Sequence, residues 1–114
     1  MNANKAYTFA AAWSAMEQEV RVDNADRGFH NDNVEFGTLI ALCHSELSEA
    51  LEADRHGNPP SEHIPEFSGV DEELADLVIR VLDLGARRGL NIGAAIAAKT
   101  EFNTTRPHKH GKGY

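Results

Sequence analysis

Apolar residues recur along most of this chain with the spacing of helices. Near the start, Phe9, Trp13, Met16 and Val20 are separated by three or four residues, which places them on one face of a helix. Three later segments repeat this spacing, and the chain shows almost no two-residue alternation of the kind expected for a strand. The pattern predicts an all-α fold with four helices, over about 7–21, 33–56, 70–88 and 92–104.

Polar, proline and glycine residues separate the predicted helices. The Asp- and Asn-rich stretch 21–34 is predicted as a loop, and residues 57–69 as a second loop. Asp32 and Glu35 have the spacing of a capping box, which predicts the start of the second helix. Gly57 and Gly89 are typical helix stops. The four helices together predict a bundle.

Length and charge narrow the kind of protein. With 114 residues and 12.5 kDa, the chain predicts one domain over 1–114, with a basic tail at about 105–114. The net charge is −7, and the acidic body argues against binding to nucleic-acid polymers, which depends mainly on phosphate neutralisation. There is no apolar stretch of membrane-spanning length and no signal-peptide pattern, and Cys43 is the single cysteine. We therefore expect a cytoplasmic protein that does not associate with membranes.

Two pairs of acidic residues are the strongest chemical signal. Glu46 with Glu49, and Glu73 with Asp76, each have i, i+3 spacing beside an apolar arc, whereas Glu52 points elsewhere on its helix. Carboxylates at the edge of a core repel one another unless a cation lies between them. Solvated helix faces are the ordinary alternative for either pair alone. Together the pairs predict a site for a hard divalent cation such as Mg²⁺.

The last helix carries a polar stripe. Lys99, Asn103 and Arg106 recur at i, i+4 and i+7, on a side that overlaps Ile92 and Ile96. This overlap predicts that the stripe faces the interior and meets an anion there. The alternative is a helix end whose cations only complement the helix dipole.

The predicted third helix has two further features: the position of Arg80 and the width of its apolar face. Arg80 lies four residues after Asp76, so it either forms a structural ion pair or holds a ligating carboxylate in place. The apolar arc of the third helix is widened by Val78, Ile79 and Leu82 to more than half the circumference. Such a helix needs neighbours on two sides, and in so short a chain this predicts at least a homodimer.

Several enzyme classes are excluded by missing motifs. The sequence has no GxxxxGK[ST] or GxGxxG loop and no Cys/His cluster for structural zinc. No glutamate is followed three residues later by histidine, which removes the pattern of a carboxylate-bridged di-iron bundle. The acidic pairs and the polar stripe therefore remain the main signals.

Three segments resemble the all-α MazG-like nucleoside triphosphate pyrophosphohydrolases, particularly the small single-domain members of phages and bacteria. The segments are HSELSEALEADRHG, EELADLVIRVLD and KTEFNTTRPHKHGKGY, and the similarity spans about 36–114. The order of the two acidic motifs and the closing K-x-x-x-N-x-x-R carry most of it. Many members have a further acid one turn before the first pair, where this chain has Cys43.

The resemblance implies a helical bundle that assembles as a homodimer or homotetramer. It implies Mg²⁺-dependent hydrolysis of (deoxy)nucleoside triphosphates to monophosphate and pyrophosphate, with Mn²⁺ as a substitute and nucleotide-pool house-cleaning as a role. The metal ligands would be Glu46, Glu49, Glu73 and Asp76, with Glu49 the preferred general base. The triphosphate would contact four residues of the C-terminal part: Lys99, Asn103, Arg106 and Lys109. Two alternatives are a non-enzymatic nucleotide- or metal-sensing module and a helical assembly protein without a ligand.

Overall fold

The fold is entirely helical over the part of the chain that the structure describes. In the computed structural model, which describes residues 1–28 and 33–107, these residues form four helices and no strand, apart from one isolated bridge between Pro60 and Ser68. This confirms the all-α prediction. The helices are α1 (Ala3–Asp26), α2 (Phe36–Arg55), α3 (Gly69–Arg88) and α4 (Ile92–Thr104).

Helix α1 is longer at both ends than predicted. It begins after Asn2, whose side-chain oxygen accepts a hydrogen bond from the Lys5 amide at 2.8 Å. It then continues to Asp26 through residues that were predicted as loop. The physical reason is tertiary contact, because Arg21 and Asn24 both donate hydrogen bonds to Asp83 of α3. Packing therefore overrides the weak helix propensity of the Asp- and Asn-rich segment.

The capping prediction for α2 is wrong in its register. Glu35 is itself the N-cap residue and makes no side-chain capping bond, while Asp32 lies outside the described residues. A capping box does exist at the start of α3, where the Ser68 hydroxyl accepts from the Asp71 amide and Asp71 accepts from the Ser68 amide. Gly89 ends α3 with φ 64°, a left-handed conformation that glycine adopts without strain.

The helices pack as two antiparallel pairs. One pair is the α2–α3 hairpin, which has the most extensive contacts in the fold. The other is α1 with α4, and α1 also packs on α3. Gly93 allows α1 and α4 to approach closely, since a Cβ atom placed there would lie 2.8 Å from the Cβ of Trp13. The hairpin and the α1–α4 pair are thus joined through α1.

A buried ion-pair network fixes α1 to α3. The carboxylate of Asp83 is 3.1 Å from Arg21 Nη1, 3.0 Å from Asn24 Nδ2 and 2.6 Å from Arg87 Nε. Burial raises the pKa of Asp83, but the hydrogen bonds from Arg87, Asn24 and Arg21 outweigh this and leave the pKa below its ordinary value. Asp83 is therefore charged at neutral pH and links the two helices.

The apolar core of the single chain is small. Among the described residues, the buried apolar side chains are Val20, Ala50, Leu82, Leu84 and Ala97. By contrast, several large apolar side chains of the hairpin are exposed in the single chain: Leu47, Leu51, Leu74, Val78 and Ile79. Large exposed apolar surfaces commonly mark interaction sites. No helix in the described part of the chain is both long enough and apolar enough to cross a lipid bilayer.

Candidate functional site

Three carboxylates from two helices meet inside the α2–α3 hairpin. Glu46 and Glu49 lie one turn apart on α2, and Glu73 faces them from the N-terminal half of α3. Each contributes one oxygen to a group in which all the ligand atoms lie within 4.8 Å of one another. We call Glu46, Glu49 and Glu73 the carboxylate triad. The antiparallel hairpin brings it together, because the middle of α2 lies beside the N-terminal half of α3.

Glu46 is the most buried member of the triad. Its residue is only 6% exposed, and its Oε1 accepts a hydrogen bond from Arg80 Nε at 2.8 Å. Its other oxygen, Oε2, is buried without a hydrogen-bond partner, and so is Oε2 of Glu73. A buried unpaired carboxylate oxygen is costly, because it has lost its hydration and gained nothing in return. These two oxygens therefore identify where a cation would be most stabilising.

Burial and neighbouring acids perturb the titration of the triad. Loss of hydration, together with hydrogen bonding and charge repulsion from Glu49 and Glu46, raises the pKa of Glu73 to about 7. Burial likewise raises the pKa of Asp76, and the nearby charge of Glu46 adds to the effect. In the absence of a cation, Glu73 therefore retains its proton up to near neutral pH.

The donor atoms of the triad suit a hard divalent cation. All are carboxylate oxygens, the ligand type that Mg²⁺ and Mn²⁺ prefer, and the triad has no imidazole or thiolate. Cys43 lies nearby, and burial raises the pKa of its thiol, so it is neutral at physiological pH. A neutral thiol is a poor ligand for a hard ion. The residues present therefore fit Mg²⁺ through oxygen coordination.

The structure brings together three of the four predicted metal ligands. Asp76 is half-buried on the next turn of α3 and is not among the carboxylates that meet within 4.8 Å. It is still close enough for Glu46 and Glu49 to affect its pKa. Glu52, which was excluded from the site, lies instead beside Arg55 and His56 at the exposed end of α2.

Arg80 has a different partner from the one its spacing indicates. It pairs with Glu46 across the hairpin rather than with Asp76 along its own helix. The contact engages one oxygen of Glu46, a member of the triad, and leaves the other buried without a hydrogen-bond partner. Of the two readings of Arg80, the structure therefore favours orientation of a candidate ligand.

The polar stripe of α4 does not face the interior, which corrects the expectation from its spacing. Lys99, Asn103 and Arg106 are all exposed, whereas Gly93 and Ala97 form the buried face of α4. The cations of Lys99 and Arg106 lie 4.6 and 5.8 Å from the ring centroid of Phe102, which is itself exposed. The fourth predicted phosphate contact, Lys109, lies outside the described residues. Helix α4 packs on α1, so within one protomer the stripe does not complete the triad.

A second polar cluster has no counterpart in the sequence predictions. In the loop between α2 and α3, Ser61 and His63 both bond the carboxylate of Glu72 on α3, each at 2.7 Å. No periodic spacing could have revealed it, because a return of the loop onto α3 brings the three residues together.

No family model, curated protein or solved structure matches this chain.

Proposed function

We propose that this protein is a Mg²⁺-dependent nucleoside triphosphate pyrophosphohydrolase of the MazG-like type. The observation that carries the proposal is the pair of unpartnered, buried oxygens, Glu46 Oε2 and Glu73 Oε2, within a carboxylate triad. A bound cation would remove the cost of burying these atoms at a pH above about 7, where Glu73 loses its proton. The sequence resemblance supplies the reaction, and the oxygen-only donor set agrees with it.

Each residue of the triad has a distinct part in the proposed reaction. Glu46, oriented by Arg80, and Glu73 would hold the cation from opposite helices, with Asp76 extending the acidic surface. Bound Mg²⁺ would offset phosphate charge and make a water molecule more acidic. Glu49 is the exposed member of the triad, so it can accept the proton of the water that attacks the α-phosphorus. Cleavage of the bond to the β-phosphate oxygen then gives monophosphate and pyrophosphate.

The triphosphate needs several cations, and Arg80, a cation that the hairpin places at the triad, is already paired with Glu46. In the proposed site, Lys99, Asn103, Arg106 and Lys109 bind the phosphates. We further propose a homo-oligomer in which α4 of a second copy approaches the triad. Two observations support this: the α4 stripe is exposed and faces away from its own core, and the hairpin exposes apolar side chains beside the triad. Burying that apolar face would bring two copies into contact next to the acidic site.

Pyrophosphate release tests the proposal directly. Purified protein is incubated with natural and modified (d)NTPs and Mg²⁺, and pyrophosphate is measured by coupled phosphate detection. We expect turnover that falls at least a hundredfold in Glu73→Gln. The matched control is Glu52→Gln, a glutamate of the same hairpin outside the triad, which should retain full activity.

The outcomes separate the proposed enzyme from its alternatives. No turnover of any nucleotide, or equal turnover by Glu73→Gln, would contradict the proposed reaction. Nucleotide binding without hydrolysis would favour the sensing module. A helical assembly protein without a ligand should show no change in melting temperature when Mg²⁺ is added, since only a ligand of the folded state raises it.

A further inference from the structure

The loop between α2 and α3 is folded back rigidly onto α3. The Ser61 hydroxyl accepts hydrogen bonds from the amides of His63 and Ile64 at 3.2 and 3.1 Å, which closes a tight turn. The same hydroxyl donates to Glu72 Oε1 at 2.7 Å, and Ser61 is only 4% exposed. This buried serine therefore anchors the turn to the first turns of α3.

The turn presents one imidazole in a defined orientation. His63 Nδ1 lies 2.7 Å from Glu72 Oε2, so both oxygens of Glu72 are engaged by the loop. Because a carboxylate can only accept, Nδ1 carries the proton, and Nε2 is left without a hydrogen-bond partner among the described residues. The His63 side chain is 80% exposed, whereas that of Glu72 is mostly buried. A buried carboxylate thus orients an exposed imidazole whose second nitrogen is available to a ligand.

The carboxylate that holds this imidazole, Glu72, is next to Glu73 of the triad in the chain. Glu72 and Asp76 are four residues apart and share one face of α3. Burial raises the pKa of Asp76, and the charges of Glu46 in the triad and of Glu72 beside the histidine raise it further. Asp76 therefore lies between the triad and the histidine.

The groups that surround His63 favour its charged form. Its hydrogen bond to Glu72 has the largest effect and raises the pKa of the imidazole, and the charges of Glu72, Glu62 and Asp76 act in the same direction. Glu62 comes from the loop, while the other two acids come from α3.

We propose that His63, positioned by Glu72, is a substrate-binding residue that donates a hydrogen bond from Nε2 to a phosphate oxygen of the nucleotide. This inference rests on the proposed function. It supplies a donor from the same protomer on the Asp76 side of the triad, where α4 of that protomer offers none. Phosphate is the ligand chemistry that fits, because it is the anionic group of the proposed substrate and Nε2 of the imidazolium is a charged donor that Glu72, bonded to Nδ1, leaves available.

Binding of a nucleotide that cannot be cleaved tests this role. Calorimetry measures the dissociation constants of Mg²⁺ complexes of the four α,β-methylene deoxynucleoside triphosphates, for the full chain at pH 6.0 and pH 8.5. The variants are His63→Ala, His63→Gln and Glu72→Gln. The matched control is His56→Ala, because His56 is also exposed and bonded to a glutamate, Glu52, but lies at the end of α2.

The decisive quantity is the ratio of variant to wild-type dissociation constants at each pH, and His56→Ala gives the ratio expected when His63 is intact. We expect His63→Ala to weaken binding about tenfold at pH 6.0 and about twofold at pH 8.5, as the imidazolium loses its charge. His63→Gln, a neutral hydrogen-bond donor, should lose about threefold at both values. Glu72→Gln should follow His63→Ala in direction, and His56→Ala should match wild type.

Failure of this inference is distinguishable from failure of the proposed function. If wild type binds none of the nucleotides, both are overturned. If wild type binds and His63→Ala binds equally well at both pH values, only the role of His63 is overturned. A loss in His63→Ala that is the same at pH 6.0 and 8.5 also overturns it, since a structural defect would not track the charge of the imidazole. Circular dichroism verifies that each variant is folded.

Discussion

Replacing Glu73 by glutamine should change the stability of the protein in opposite directions with and without Mg²⁺. The pKa of Glu73 is raised to about 7 from an ordinary value of 4.5 by burial and by Glu49 and Glu46. A carboxyl group whose pKa is raised in the folded state contributes stability below its unfolded pKa and loses that contribution as pH rises through the folded value. In EDTA, wild type should therefore become less stable between about pH 4.5 and pH 7.

The size of this effect follows from the shift in pKa. The difference between 4.5 and about 7, at about 1.4 kcal/mol for each tenfold change in proton affinity, gives an upper limit of about 3.5 kcal/mol. Glu73 is partly exposed and shares its proton with neighbouring carboxylates, so an effect of about 1–2 kcal/mol is expected. Glutamine resembles the protonated acid in shape and hydrogen bonding. In EDTA at pH 8, Glu73→Gln should therefore be more stable than wild type by about 1–2 kcal/mol, and the two should converge near pH 5.

Magnesium should reverse this order. A ligand that binds only the folded state stabilises it by RT ln(1 + [L]/Kd), which is about 2.7 kcal/mol at one hundred times Kd. Wild type should gain this stabilisation at pH 8, whereas Glu73→Gln, with one ligand removed, should gain much less. The assay is urea unfolding followed by circular dichroism at fixed protein concentration, at pH 5 and pH 8, with EDTA or with 10-fold steps of Mg²⁺.

Two results would refute the reasoning. If Glu73→Gln is less stable than wild type in EDTA at pH 8, the triad is held by attractive contacts and not strained by repulsion. If both proteins gain equally from Mg²⁺, the cation binds elsewhere. Glu52→Gln, outside the triad, should show neither effect.

Three further changes test the packing. Asp83→Asn should lower the free energy of unfolding, measured in urea, by about 3 kcal/mol, because it removes the buried charge that Arg21 and Arg87 bond. Wild type should lose this contribution only as pH falls through the lowered pKa of Asp83. Gly93→Ala should lower the free energy of unfolding by about 1–3 kcal/mol through its clash with Trp13. Gly37→Ala, with open space around it, should raise the free energy of unfolding by up to about 1 kcal/mol. Equal effects of the two substitutions would contradict the close packing of α1 and α4. Sedimentation should show at least a dimer at micromolar concentration, and Ile79→Lys should shift it toward monomer; a strict wild-type monomer would exclude the proposed assembly.

Local signals in the sequence predicted the helices well where local physics determines them. The bounds of α4 agree with its periodicity, and those of α3 differ by one residue, since α3 begins at a capping box on Ser68 and ends at Gly89. The C-terminal end of α1 could not be predicted in this way. It depends on Asp83, which is distant in sequence and accepts hydrogen bonds from the polar residues of α1 only in the folded protein.

In the candidate site, too, relations within one helix could be predicted from the sequence, whereas relations between helices could not. The i, i+3 spacing correctly placed Glu46 and Glu49 side by side, because that relation lies within one helix. Which acids meet across the hairpin depends on the register between α2 and α3, and it selects Glu73 over Asp76. Periodicity also misassigned the face of α4, because Gly93 and Ala97 are too small to show as a hydrophobic stripe yet allow the closest approach to α1.

The loop between α2 and α3 limits which insertions this protein can tolerate. Asn58 accepts a hydrogen bond from the Val70 amide at 2.9 Å, and the Gly69 amide donates to the Pro59 carbonyl at 2.7 Å. A Cβ atom on Gly69 would lie only 3.2 Å from the Cβ of Ala53, so the two helices enter the hairpin in fixed alignment. One residue inserted at the start of α3 would rotate Glu73 by about 100° away from α2. The length of this surface segment therefore determines which residues of α3 face the acids of α2, and it should be far less variable than that of an ordinary connecting loop.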